Sequence, residues 1–334
     1  MTPLKIKNSA VVALLILAAV AAAVSSVMFG ARSIGVADAL DALRGLSAAP
    51  EQAVAYTRLP RTVMALVVGA ALAVSGTTLQ AVTRNPLADP GIFGVLSGAS
   101  LAVVIGIAFG GLASALGTMV VAIVGAFAAA VFVYAVGSLG RDGATPLTLA
   151  LAGAATAAAC SGLVSAILLP RTDVMDRFRF WQIGSVGGAQ WDLLGIAAPL
   201  LVLGLLIVVM HTGGLNALAL GDDVATGLGV KVLRTRLLAT VGAVVLCGTA
   251  TALAGPVSFV GLIVPHVLRL LMGPDNRWLV PATALAGGVL LTVADTVGRV
   301  IIRPEELAVG IITPLIGAPL FIWIVRQVKV RELA

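Results

Sequence analysis

About ten apolar runs, each near the ~20 residues that an α-helix needs to cross a bilayer, leave this chain few ways to fold. They fall at Ser9–Phe29, Thr62–Val82, Gly94–Gly110, Thr118–Gly137, Leu147–Leu169, Leu193–Met210, Leu237–Ala254, Val257–Met272, Val280–Arg299 and Val309–Val325. Only 11% of the 334 residues are charged, against about 25% in a soluble domain. So few charges cannot clothe a water-facing surface, and lipid must replace water around most of the molecule. The reading is an all-α, polytopic membrane protein in which one transmembrane domain, 1–334, uses the whole chain. No length remains for a soluble catalytic domain. Glycine and proline inside the runs are tolerated in membrane helices.

The charge pattern excludes further classes. The formal charge is +6, but the basic residues are scattered through short loops instead of gathering on one face, as nucleic-acid binding requires. Cys160 and Cys247 lie inside apolar runs without metal-ligand spacing and read as small packing residues. Lys5 and Lys7 ahead of the first run have the layout of a signal peptide. The run is long enough to span, so an uncleaved first helix is expected.

With the N-terminus in the cytoplasm and the helices alternating, Lys5, Lys7, Lys231 and Lys329 all fall inside, and both termini are cytoplasmic. Arg32, Arg44, Arg58, Arg61, Arg171, Arg177, Arg179, Arg299 and Arg303 remain outside, which is unusual and asks for a reason. Three loops stand out. The outer loop Gly30–Arg61 contains the amphipathic stretch Val36–Leu46. In Pro170–Trp191, the residues Val174, Phe178 and Trp181 recur at helical spacing, predicting a short helix across the outer mouth. The cytoplasmic loop Gly213–Arg236 reads as two short helices broken at Gly221 and Gly229. A faint inverted repeat relates Pro60-Arg-Thr62 and Val68-Gly-Ala70 to Leu233-Arg-Thr235 and Val241-Gly-Ala243.

No enzyme signature is present. His211 and His266 form no His-Glu-x-x-His motif, and neither a nucleophile elbow nor a phosphate loop occurs. If ATP drives this protein, another subunit hydrolyses it. In Thr83–Gly91 the prolines stop one helix and start the next, while Asn85 and Asp89 can cap exposed backbone donors. Pro265-His266-x-x-Arg269 ends the eighth run, where Arg269 favours the helix C-terminus. Asp295 and Arg299 lie four apart on one helix face. An ion-coupled secondary transporter is the alternative reading, but that class shows ionisable residues or unwound helix at the midplane. No run here carries a convincing charge at its centre.

The motifs Arg58-Leu-Pro-Arg61, Val68-Gly-Ala-Ala-Leu72, Ser75-Gly76, Leu79-Gln80, Thr83–Gly91 and Gly94-Val95 resemble the FecCD-type permeases, which include vitamin B12 and iron–siderophore importers. Gly255–His266, Arg269, Gly273–Arg277, Ala294-Asp295, Arg299 and Gly310–Pro319 extend the resemblance over about residues 55 to 327. The resemblance implies a B12-importer-permease-like fold with about ten helices per subunit. It also implies a second permease subunit, identical or paralogous, and two ATPase subunits that carry ATP and Mg. A periplasmic or lipid-anchored substrate-binding protein would dock above. No cofactor is implied on this chain. By the same resemblance, Arg58, Arg61 and Arg299 dock the binding protein, and arginine suits bidentate carboxylate pairing better than lysine. The stretch Leu218–Gly229, with Leu218, Leu220, Gly221, Asp222, Asp223, Ala225, Leu228 and Gly229, is expected to couple to the ATPase. Thr145 and Pro146 match a cytoplasmic gate only loosely. Phe180–Ser185 looks more like siderophore permeases than like the B12 permease, so iron–siderophore cargo in the inner membrane is the expectation, with haem or cobalamin as alternatives.

Overall fold

The structure is a computed structural model, described for residues 8–30, 34–35, 37–38, 41, 44, 50–139 and 145–332. The amphipathic stretch expected over Val36–Leu46 lies mostly outside these residues, as do Lys5 and Lys7. The described chain is helical throughout. In order it forms α1 (Asn8–Met28), α2 (Pro50–Thr83), a 3-10 turn (Pro90–Phe93), α3 (Val95–Gly110), α4 (Ala115–Gly137), α5 (Pro146–Leu168) and α6 (Thr172–Ile183). Then follow α7 (Trp191–Leu218), α8 (Asp222–Gly227), α9 (Val232–Ala254), α10 (Val260–Met272), α11 (Asn276–Ile301) and α12 (Val309–Glu332). Among the described residues seven helices are long and apolar enough to cross a membrane, and α3, α10 and the start of α12 are shorter apolar helices. The apolar helices thus match the runs read from the sequence.

The short helices have local causes. Gly255-Pro256 ends α9, and the chain runs non-helically to Phe259, whose left-handed φ of 71° starts α10 late. Likewise α3 starts only after the 3-10 turn, at Gly94 with φ 69°. In the turn before it, Asn85 Oδ1 accepts from Leu87 N–H at 2.9 Å and Asp89 Oδ1 from Gly91 N–H at 2.8 Å. Burial pushes the Asp89 carboxyl up from its usual range, and the Gly91 bond opposes that.

Two helices depart from the sequence reading. Helix α2 begins at Pro50 and runs straight through Pro60, so the last part of the expected loop Gly30–Arg61 is helical. Proline opens a helix well, and inside one it removes a single backbone bond, which here does not end the helix. At the other departure, residues 213–218 continue α7 and residues 232–236 open α9. Only one short helix, α8, lies between them, not two. Gly214 lies inside α7 and packs against Thr235, where a Cβ would stand 2.6 Å from Cγ2.

The core forms where helix backbones touch. A Cβ on Gly69 would lie 2.2 Å from the Gly287 carbonyl oxygen, and one on Gly76 would lie 1.9 Å from that of Gly261. Small residues let α2 meet α11 and α10 at this range, and dispersion and close packing then replace the hydrophobic effect that lipid cannot supply. Helices α2 and α9 are the most buried, while α1 and α5 mostly face outward. Cys160 and Cys247 are free and buried, and α6 turns Val174 and Phe178 inward.

Candidate functional site

Polar side chains gather at the two ends of the bundle. At one end α1 finishes, α2 starts and α11 finishes. The last carbonyls of any helix lack intrahelical partners. Here two arginines take those of α1. Arg58 Nη1 donates to Val27 O at 2.9 Å and Met28 O at 3.3 Å. Arg299 Nη1 donates to Ser26 O at 3.0 Å and Phe29 O at 3.1 Å, and its Nη2 donates to Ser26 Oγ at 2.8 Å. Positive charge is favourable at a helix C-terminus. Ser26 Oγ and Thr62 Oγ1, 2.8 Å apart, close the contact between α1 and α2.

Asp295 sits between two of these arginines. Arg61 Nε and Nη2 donate to its Oδ2 at 3.0 Å and Oδ1 at 2.8 Å. Arg299 Nε lies 3.1 Å from Oδ2, as an ion pair too bent for a hydrogen bond. Arg61 Nη1 also donates to Glu306 Oε2 at 2.7 Å. The side chains of Asp295 and Arg299 are each 2% exposed, Arg61 is 14% and Glu306 is 41%. The structure therefore brings Arg58, Arg61 and Arg299 together but folds them inward. Only Arg61 keeps an edge toward the surface. The sequence reading missed Glu306, which follows Glu305 in the loop after α11, and missed that α1 supplies the acceptors. The Arg58-Leu-Pro-Arg61 spacing, which puts both arginines on one helix, was the available signal.

At the opposite end lies α8. Gly221 and Gly229 flank it with φ of 114° and 81°. Leu218 and Ala225 are buried, whereas Leu220 before α8, Val224 on it and Leu228 after it are exposed, so this segment presents apolar side chains outward. Asp223 is exposed as well. Asp222 fastens the helix, pairing with Arg84 at the end of α2 and with Arg236 Nη2 of α9 at 3.2 Å. Nearby, Asn216 Nδ2 donates to Asp275 Oδ1 at 2.6 Å, and Asn276 Nδ2 donates to Asn216 Oδ1 at 2.9 Å, which ties α7 to α11. Arg269 Nη1 donates to Gln80 Oε1 at 3.0 Å. Both ring nitrogens of His266 are buried without a hydrogen-bond partner. Thr145 caps α5 in a capping box with Thr148, and Pro146 opens that helix; this is the work of a helix start.

Among the described residues, three recesses are lined without charged side chains. One is lined by Phe93, Phe127, Tyr134 and Val244, a second by Val67, Val74, Leu205 and Leu246, and a third by Phe259, Ile263, Leu290 and Ile316. Among the described residues the fully buried charged side chains, Arg58, Asp295 and Arg299, belong to the arginine end, while Asp89 is shielded from solvent in the turn after α2. Among the described residues no three His, Cys, Asp or Glu side chains group as a metal site.

Known proteins resemble this chain in sequence and fold. Over 95% of each chain, the sequence is 43% identical to the ferric enterobactin transport system permease protein FepD of Escherichia coli (strain K12). It is 40% identical to the cobalamin import system permease protein BtuC of Halobacterium salinarum, over 83% of this chain and 74% of that one. In structure it resembles a metal-chelate type ABC transporter solved in an inward-facing conformation, with a TM-score of 0.84 and 31% identity over 96% of this chain and all of the other. The profile of the FecCD transport family matches residues 14–327, and on that extent the chain belongs to the FecCD transport family.

Proposed function

We propose that this chain carries ferric siderophores across the cytoplasmic membrane, together with a second permease, two ATPase subunits and a substrate-binding protein. As a FecCD member it is the membrane permease subunit of an ABC importer, in which ATP is hydrolysed on a separate subunit. The observation that carries the siderophore reading is the 43% identity to a ferric enterobactin permease along 95% of both chains. The identity to a cobalamin permease is lower and covers less. The test is uptake by cells lacking this gene. Uptake of radiolabelled ferric siderophore is expected to fall at least tenfold while cobalamin uptake is retained. Loss of cobalamin uptake alone would overturn the assignment.

The two polar ends then have distinct roles. The arginine end faces the binding protein, with Arg61 receiving a partner carboxylate and Arg58 and Arg299 holding the surface from beneath. The α8 end faces the ATPase, into which Leu220, Val224 and Leu228 seat while Asp222 relays force to α2 and α9. Thr145 and Pro146 open α5 at this same end, where a gate would sit. In this orientation both termini are cytoplasmic. Single cysteines at Thr2 and Glu332 are expected to react with a membrane-impermeant maleimide only in inverted vesicles. Labelling of either in intact cells would reverse the topology.

A further inference from the structure

We propose that Glu306 is a resident stand-in for the binding protein's carboxylate, holding the outward nitrogen of Arg61 until the partner displaces it. The proposal rests on docking at Arg61 and names what regulates that contact. Three observations carry it. First, the Arg61 guanidinium is divided between two acids. Asp295 takes Nε and Nη2 in a bidentate pair, while Glu306 touches Nη1 alone, at 2.7 Å. A bidentate edge is the stronger and more directional contact, so Glu306 is the acid more easily exchanged. Second, the two acids differ in access. Asp295 is 2% exposed and locked beneath Arg299, whereas Glu306 is 41% exposed on the loop between α11 and α12. Third, a way in to Nη1 exists over Gly187, an exposed residue in the loop between α6 and α7. A Cβ there would stand 3.6 Å from Arg61 Nη1, so the missing side chain leaves room beside the nitrogen.

An incoming carboxylate can therefore reach Nη1 past Gly187 and replace Glu306 one acid for one acid. The guanidinium stays neutralised at every stage and Asp295 stays in place. Such an exchange lowers affinity relative to an open arginine, and it keeps the site closed to casual anions between docking events.

The test is the affinity of the cognate substrate-binding protein for the permease–ATPase complex in nanodiscs. Four forms are compared: wild type, Arg61→Lys, Glu306→Ala and Gly187→Val. Arg61→Lys keeps a cation beside Asp295 but gives up the planar fork that serves two acids. It is expected to weaken binding. Glu306→Ala is expected to tighten binding about two- to fivefold, the scale of one exposed ion pair removed as competitor. Gly187→Val is expected to weaken binding by crowding Nη1. Unchanged or weaker binding by Glu306→Ala, alongside weaker binding by Arg61→Lys, overturns the stand-in role and leaves docking at Arg61 intact. Unchanged binding by Arg61→Lys removes the docking site itself, and this proposal with it.

Discussion

Replacing Asp295 with alanine is expected to destabilise the folded permease by about 3–5 kcal/mol, the usual cost of removing one partner from a buried ion pair. Among the described residues Asp295 is the carboxylate paired with Arg299 and the bidentate partner of Arg61. Without it the buried Arg299 guanidinium loses its ion-pair partner and Arg61 keeps only Glu306. Arg299 keeps its bonds to Ser26 and Phe29, so the loss acts on the junction of α1, α2 and α11. The expected readout is a lower melting temperature and a loss of monodisperse protein in detergent. Asp295→Asn keeps the shape and one acceptor and is expected to cost less. Adding Arg299→Met to Asp295→Ala is expected to recover part of the loss, because it removes the stranded charge. An unchanged melting temperature in Asp295→Ala would mean that the acid does not hold this end together.

The second large effect concerns α8. Valine at Gly221 or Gly229 is expected to reduce transport at least tenfold while the partner ATPase still turns over. Both glycines have φ in the left-handed region, 114° and 81°, and nothing lies within 4 Å of an added Cβ at either. A defect there is therefore backbone strain, of order 1–3 kcal/mol, and not a clash. A β-branched residue resists these angles, so α8 must tilt away from the position in which Asp222 meets Arg84 and Arg236. Gly227 is the internal control: it too has open space around its Cβ, but it sits in the helix, so Gly227→Ala is expected to leave coupling unchanged. Parallel measurements of ATP hydrolysis and uptake in proteoliposomes check this, and normal transport per ATP in both valine variants would contradict a coupling role for α8.

What the sequence made legible follows a physical division. The apolar runs mark the membrane helices because lipid enforces that length and composition locally. Val174 and Phe178 mark α6 for the same reason, since their spacing is a property of one helix. The Asp295–Arg299 pair was readable because four residues is one helical turn. The rest depends on distant contacts. Arg61 and Asp295 are 234 residues apart, and Arg84 and Asp222 are 138 apart. No local pattern announces either pair. The start of α2 was misread because Glu51, Arg58, Pro60 and Arg61 have the composition of a loop. They are helical because Arg58 and Arg61 find acceptors on α1 and α11. The arginines were correctly grouped, yet their burial was not visible, since the acceptors that draw them inward are backbone carbonyls of α1. At α8 the glycines located the bends, but the sequence could not tell that Gly214 would lie inside α7 and pack against Thr235.

The central claim is that this chain conducts a ferric siderophore under the power of a separate ATPase. The most direct measurement is uptake of a ⁵⁵Fe-labelled siderophore into proteoliposomes that contain the permease and its ATPase, with the binding protein outside and ATP enclosed. Accumulation that requires enclosed ATP and the binding protein, and that persists when proton and sodium gradients are collapsed, is the predicted result. Accumulation driven by an ion gradient without ATP would contradict the account.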